Sequence, residues 1–239
     1  MIWKCPKITV SNLCLDMQNQ AHILIAGSTG SGKSVLVNSF IYSMLYKSPE
    51  KLELILIDPK RVELVKYRKL PQCRKYATEN RDIIAALSHA IDTMEKRYKQ
   101  MQRHGTVKYD GSEIWIIIDE LADLMTTCKK QVTPLLCRLT QLGRAANIHV
   151  LAATQRPTRE IITGQIKVNL DCRIALRCPA RQDSVNIIGR GGAELLPRYG
   201  NGYYMVPAGI TLEEIPYTEP ETINNTIEHW TKQKPLLWF

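Results

Sequence analysis

The sequence predicts an α/β fold in which a mainly parallel central β-sheet is flanked by helices. Three observations point there. Short, almost wholly apolar runs recur along the chain, among them "HILIA", "LELILI" and "IWIII". Longer segments with a helical apolar period separate them. One run leads straight into a glycine-rich string, "GSTGSGKS", at Gly27–Ser34. Strands buried on both faces read as continuous apolar runs, and helical crossovers are what parallel strands require.

Taken in order, the expected core strands are His22–Ala26, Leu52–Ile57, Glu113–Ile118, Ile148–Ala152, Cys172–Arg177 and Gly202–Val206. The first expected helix, Lys33–Tyr46, opens inside the glycine string. The next, Ile83–Met101, carries apolar residues at Ile83, Ile84, Leu87, Ile91, Met94, Tyr98 and Met101, one face of a helix. Gly105 and Gly111 punctuate the approach to the third strand. A helix over Gln131–Ala146 repeats the period with Leu135, Leu136, Leu139 and Leu142. Residues 221–234 read as a last helix, stopped before Pro235. No internal repeat or low-complexity linker divides the chain, so 239 residues are expected to form one domain.

Bulk properties narrow the class. The formal charge is +9, which favours a polyanionic partner such as nucleic acid or an acidic membrane surface. Seven cysteines occur without CxxC spacing or a paired histidine cluster. Zinc is therefore not expected, and free thiols suit a cytoplasmic location. No run is long enough to span a bilayer, and the start has no secretory pattern, so neither a transmembrane region nor a signal peptide is expected.

The glycine string matches GxxxxGK[ST] in full, between a strand and a helix. Gly27, Gly30 and Gly32 let the backbone wrap so that amides of Ser28, Thr29, Ser31 and neighbouring residues to Val35 point inward. With the helix N-terminus they form a nest for phosphates. Lys33 brings a positive charge to the β- and γ-oxygens, and Ser34 offers a hydroxyl to Mg²⁺. A second acidic element follows "IWIII". Asp119, at the tip of that strand, is the expected metal partner, and Glu120 the expected base for an attacking water. Gln155, at the end of the strand "IHVLAAT", faces the ligand crevice and is placed to sense the γ-phosphate or orient water. An extra strand between the two motifs, a glutamate after the metal aspartate and no guanine-reading NKxD string favour the RecA-like branch and ATP.

At this point the strings "HILIAGSTGSGKS", "LILIDPKRVEL", "IIIDELADLM", "GRAANIHVLAATQRPTREIITGQIKVNL" and "RIALRCPARQDSVNIIGRGGAELL" resemble the motor domain of FtsK/SpoIIIE DNA translocases. The resemblance runs from about Ile8 to Trp230. It implies a RecA-like P-loop ATPase that assembles as a homo-oligomeric ring, usually a hexamer. Such a ring hydrolyses ATP with Mg²⁺ at subunit interfaces and threads double-stranded DNA. It also implies that Arg144, in "GRAANI", reaches a neighbour's γ-phosphate, with Arg173 and Arg181 as alternatives. The family's DNA-facing loops nominate Arg156, Lys167 and Arg181, which would grip phosphates rather than bases. Val185 stands where the family pattern has a basic residue. No C-terminal winged helix is expected, which suggests a bare motor serving DNA transfer or segregation of a mobile element. A secretion-type ATPase with protein cargo is the alternative. The string "DPKRVEL" begins in the sheet crevice, which makes Asp58 and Lys60 candidates for the site, while Arg68, Lys69, Arg74 and Lys75, the distal members of a basic cluster over Lys60–Lys75, read as an outer face or a subunit contact.

Overall fold

A computed structural model describes residues 8–10, 13–15, 20–47 and 49–233. Strands β1 (Ile8–Val10) and β2 (Leu13–Leu15) form a small antiparallel ribbon. The main sheet begins with β3 (His22–Ala26), followed by helix α1 (Lys33–Lys47) and β4 (Leu52–Ile57). Next come β5 (Cys73–Ala77), α2 (Asn80–His104), β6 (Glu113–Ile118), α3 (Leu121–Thr127) and α4 (Lys129–Leu142). The remainder is β7 (Ile148–Thr154), α5 (Gly164–Asn169), β8 (Cys172–Ala175), α6 (Arg181–Ile188), β9 (Asn201–Val206), β10 (Gly209–Glu214) and α7 (Pro220–Thr231).

Eight strands form the sheet in the order β10-β9-β8-β3-β7-β6-β4-β5. From β8 to β5 all pairings are parallel, and β9 and β10 join antiparallel at one edge. The expected class therefore stands. In the centre, β7 separates β3 from β6, so the glycine string and the Asp119–Glu120 pair leave the same end of the sheet two strands apart.

Alternation along each central strand assigns residues to two cores. Leu24, Ile55, Ile116 and Val150 face one side, where Leu87 and Met94 of α2 and Leu136 and Leu139 of α4 cover them. Ile23, Leu54, Trp115 and Leu151 face the other, against Leu36, Phe40 and Ile41 of α1. A helix layer on each face leaves only the ends of the strands for polar chemistry.

Several expected bounds shift. The helix predicted over Gln131–Ala146 starts at Lys129 and stops at Leu142, because the chain must turn before β7. That turn uses Asn147 at φ 56°, a left-handed conformation that asparagine tolerates. The strand predicted over Cys172–Arg177 ends at Ala175, and β7 runs two residues further than expected, to Thr154. Strands β5 and β10 and helices α5 and α6 have no counterpart among the expected elements. The tail helix stops at Thr231, and residue 234 lies outside the described residues.

Candidate active site

The glycine string wraps the N-terminus of α1 at the carboxyl end of β3. Gly30 and Gly32 have φ of 74° and 94°, which L side chains rarely adopt. Gly27 is constrained differently: a Cβ there would come within 2.6 Å of Ser31 Oγ and 2.7 Å of Leu176 Cβ. The loop is tied down from the end of β7 and from the segment that follows β8. The Gly27 amide donates to Thr154 O, and the Ser28 amide and hydroxyl both donate to Arg177 O.

Lys33 is buried, and its Nζ donates to Asp119 O at 2.7 Å and Asp119 Oδ1 at 2.9 Å. Two unlike charges removed from water in direct contact are held by a short charge-assisted bond. Glu120 is buried beside them, and its carboxylate accepts from the Thr154 hydroxyl at 2.7 Å and from the Gln155 and Ala122 amides. The Ala122 contact caps α3, so Glu120 serves that helix end as well. Gln155 Oε1 in turn accepts from the Thr29 hydroxyl at 2.7 Å, linking the end of β7 to the phosphate loop. Lys33, Ser34, Asp119, Glu120 and Gln155 are thus brought together at one end of the sheet.

The loop after β4 adds residues to this cluster. Lys60 Nζ lies 3.7 Å from Glu120 Oε2 and 3.6 Å from Asp123 Oδ2. Asp58, in contrast, is fully buried and accepts from the Val62 and Leu64 amides and from Tyr76 OH. It shapes the loop and does not face the cluster as the sequence suggested. Ser34 Oγ donates to Glu63 Oε1 at 2.8 Å. Glu63 was not singled out from the sequence, although a carboxylate in a loop after a core strand is a usable signal. Arg198 was also missed. Its Nη2 stands 2.7 Å from where a Gly30 Cβ would be, and its guanidinium lies over the Tyr199 ring.

The arginines and Lys167 fall elsewhere. Arg144 is exposed in the turn between α4 and β7, at the amino end of the sheet. Seven residues of β7 separate that end from the phosphate loop, about 20 Å at the usual rise per residue. Arg173 donates to the carbonyls of Leu170, Ile187 and Lys167, which commits it to holding α5 and α6 on the sheet. Lys167 is half-buried, and burial followed by the nearby charges of Arg173 and Arg159 lowers its pKa. Arg156 is exposed beside the cluster, with Nη2 3.4 Å from Asp123 Oδ1. Arg181 is exposed at the start of α6.

The donor set fits a nucleotide and its metal. Ser31 Oγ is buried in the glycine loop with no hydrogen-bond partner, an orphan that a phosphate oxygen would satisfy. Space at Gly32 is open, with nothing within 4 Å of a Cβ position. Ser34 and Asp119 offer hard oxygen donors, which suit Mg²⁺, and Glu63 stands behind the Ser34 hydroxyl.

Fold and site together define a P-loop ATPase of the RecA-like branch. The chain belongs to the FtsK/SpoIIIE family, whose model matches residues 5–114 and 111–159. A DNA translocase FtsK from Pseudomonas syringae pv. tomato is 35% identical over 255 residues, covering 90% of this chain and 32% of that protein. The chain therefore spans about a third of the length of the curated relatives it matches. Among solved structures, the pCW3 conjugation coupling protein TcpA, determined with ATPγS, superposes with a TM-score of 0.83 at 26% identity, over 93% of this chain and 68% of that one. The Type VII secretion ATPase EccC of Thermomonospora curvata shares the fold at 22% identity, with a TM-score of 0.79 over 95% of this chain and 31% of that one. Among the described residues, no helix is long and apolar enough to cross a membrane.

Proposed function

We propose that this chain is the motor of an ATP-driven double-stranded DNA translocase that works as a ring, most simply a hexamer, in the transfer or segregation of a mobile element. The observation that carries the ATPase step is the buried Lys33–Asp119 pair with Glu120 beside it, at the carboxyl ends of adjacent-but-one strands. In this reading the loop amides and Lys33 bind the β- and γ-phosphates. Ser34 and Asp119 hold the Mg²⁺, which would offset phosphate charge when bound. Glu120 accepts the proton of the attacking water, and Gln155 orients that water. Lys33 must leave Asp119 to reach a phosphate, and Glu120 must loosen its hold on Thr154 and Gln155. Both groups therefore rest on partners that can be exchanged.

Arg144 lies too far from its own phosphate loop to serve it. We assign it to a neighbouring subunit's γ-phosphate, which makes hydrolysis depend on assembly. Arg156, Arg181 and Lys167 are assigned to DNA phosphates, in keeping with the basic balance of the chain. DNA as the cargo is supported by the relatives named DNA translocase and by a coupling protein of conjugation as structural neighbour. The secretion ATPase shares the fold alone. Hydrolysis measured with and without duplex DNA tests the proposal. Stimulation by DNA that falls steeply as salt is raised is the expected result, and hydrolysis indifferent to DNA at every salt concentration would refute a DNA cargo.

A further inference from the structure

We infer that Glu63 positions the Ser34 hydroxyl as a metal ligand, so that the loop after β4 is a third wall of the nucleotide site. This rests on the nucleotide-site reading above and extends it to a residue outside both sequence motifs.

The argument begins with the hydroxyl. A serine that ligates a cation offers an oxygen lone pair, and its proton must then point to an acceptor elsewhere. In the structure the acceptor is Glu63 Oε1, at 2.8 Å. Asp119, the acidic residue expected beside the metal, instead receives Lys33 at Oδ1. The work of orienting a ligand is thus assigned to a carboxylate twenty-nine residues after Ser34. Outer partners of this kind fix a ligand's orientation and raise its basicity.

The position of Glu63 is built rather than incidental. Asp58, fully buried at the end of β4, accepts from the amides of Val62 and Leu64, the residues on either side of Glu63. Arg61 takes a left-handed φ of 59° to make the turn. Leu64 and Tyr67 are fully buried, and Tyr67 OH donates to Asn38 Oδ1 on α1, the helix that Ser34 opens. The loop is therefore pinned on both sides of Glu63, to the strand behind it and to the helix in front. The half-buried carboxylate has its charge near the N-terminus of α1, where an anion is also favoured.

A generic electrostatic role and a positioning role differ in what they require. Any negative charge near the site would strengthen Mg²⁺ binding and weaken metal-free nucleotide binding. Positioning requires an acceptor at that point and a hydroxyl to receive. The test uses the full chain and a fluorescent, non-hydrolysable ATP analogue. Its affinity is measured in Mg²⁺ and in EDTA, and the ratio is the readout.

In Glu63→Ala the ratio is expected to fall by about 10–100-fold, the usual loss when an outer partner of a metal ligand is removed. Glu63→Gln, which lacks the charge but keeps an oxygen acceptor, is expected to retain more of the ratio than Glu63→Ala. In a Ser34→Ala background, Glu63→Ala is expected to change the ratio by less than about twofold, because the partner is already gone. An unchanged ratio in Glu63→Ala would overturn the inference. Equal losses in the Ala and Gln variants, or an undiminished loss in the Ser34→Ala background, would also overturn it and leave only long-range charge. Wild-type chain that fails to bind the analogue in either buffer would instead remove the nucleotide-site reading, and this inference with it.

Discussion

The two ends of the parallel sheet both bury charge, yet they bury it differently. At the carboxyl end, Lys33 pairs with Asp119, and Glu120 rests on the Thr154 hydroxyl and on backbone amides. At the amino end, Arg97 donates to the carbonyls of Ala146 and Asn147 and to Ser112 Oγ, and its guanidinium covers the Tyr109 ring. Nearby, Trp115 Nε1 donates to Glu113, His149 stacks on Trp115, and His22 Nδ1 accepts the Val150 amide. Partners at the first end, the Asp119 carboxylate and carbonyl, the Thr154 hydroxyl and backbone amides, lie beside the glycine loop, where a phosphate, a water or a cation can replace them. Partners at the second are backbone carbonyls, packed rings and the side chains of Ser112, Glu53 and Glu113, at the opposite end of the sheet from the glycine loop. Burial of charge alone therefore does not mark a functional site; exchangeable partners facing open space do.

Substitutions at the two ends should divide along that line. The largest effect is expected from Lys33→Ala, which removes the proposed phosphate contact together with the observed partner of Asp119. Nucleotide binding and turnover should fall to background in binding and hydrolysis assays. Near-normal hydrolysis by that variant would erase the distinction between the ends. Glu120→Gln comes next. It should leave nucleotide affinity within a few-fold while hydrolysis drops by about 10²-fold or more, the usual contribution of a general base.

The amino end should respond in stability instead. Arg97→Met leaves two carbonyls and a hydroxyl without their donor, at a cost of about 2–4 kcal/mol in denaturant unfolding. Nucleotide affinity should stay near wild type. A large loss of affinity with unchanged stability would contradict the contrast.

The smallest effect is set by pH. His22 is depressed to about 3, first by burial, then by the charges of His149 and Arg144. A histidine with a folded pKa below its unfolded value costs stability as pH falls below the unfolded pKa, because the unfolded chain takes up the proton first. Between pH 7 and pH 5 the loss from His22 is about 2 kcal/mol. Asparagine can accept the Val150 amide without titrating, so His22→Asn should flatten that part of the stability profile. An unaltered slope would show that His22 is not its source.

How much of this was legible beforehand follows from how local each signal is. The central strands announce themselves because they are buried on both faces and so read as apolar runs. Strand β5, "CRKYA", is an edge strand whose Arg74 and Lys75 are exposed, and it read as part of a basic cluster. Hairpin strand β10, "GITLEE", is mostly exposed for the same reason. Helices α5 and α6 have six and eight residues, too few to display a period. The glycine loop and the Asp119–Glu120 pair are contiguous strings, so both could be singled out directly. Glu63 and Thr154 meet that site only through sheet order and loop shape. Nothing in the strings around them says that Ser34 and Glu120 are their partners.

The central claim is that nucleotide is bound by one subunit and split only with an arginine from the next. Mixing Arg144→Ala chains with Glu120→Ala chains tests it most directly. Each variant alone should be inactive in DNA-stimulated ATP hydrolysis. In a random equal mixture, roughly a quarter of head-to-tail interfaces would join an intact Glu120 to an intact Arg144. The account predicts that activity reappears on mixing; a mixture as inactive as its components would contradict it.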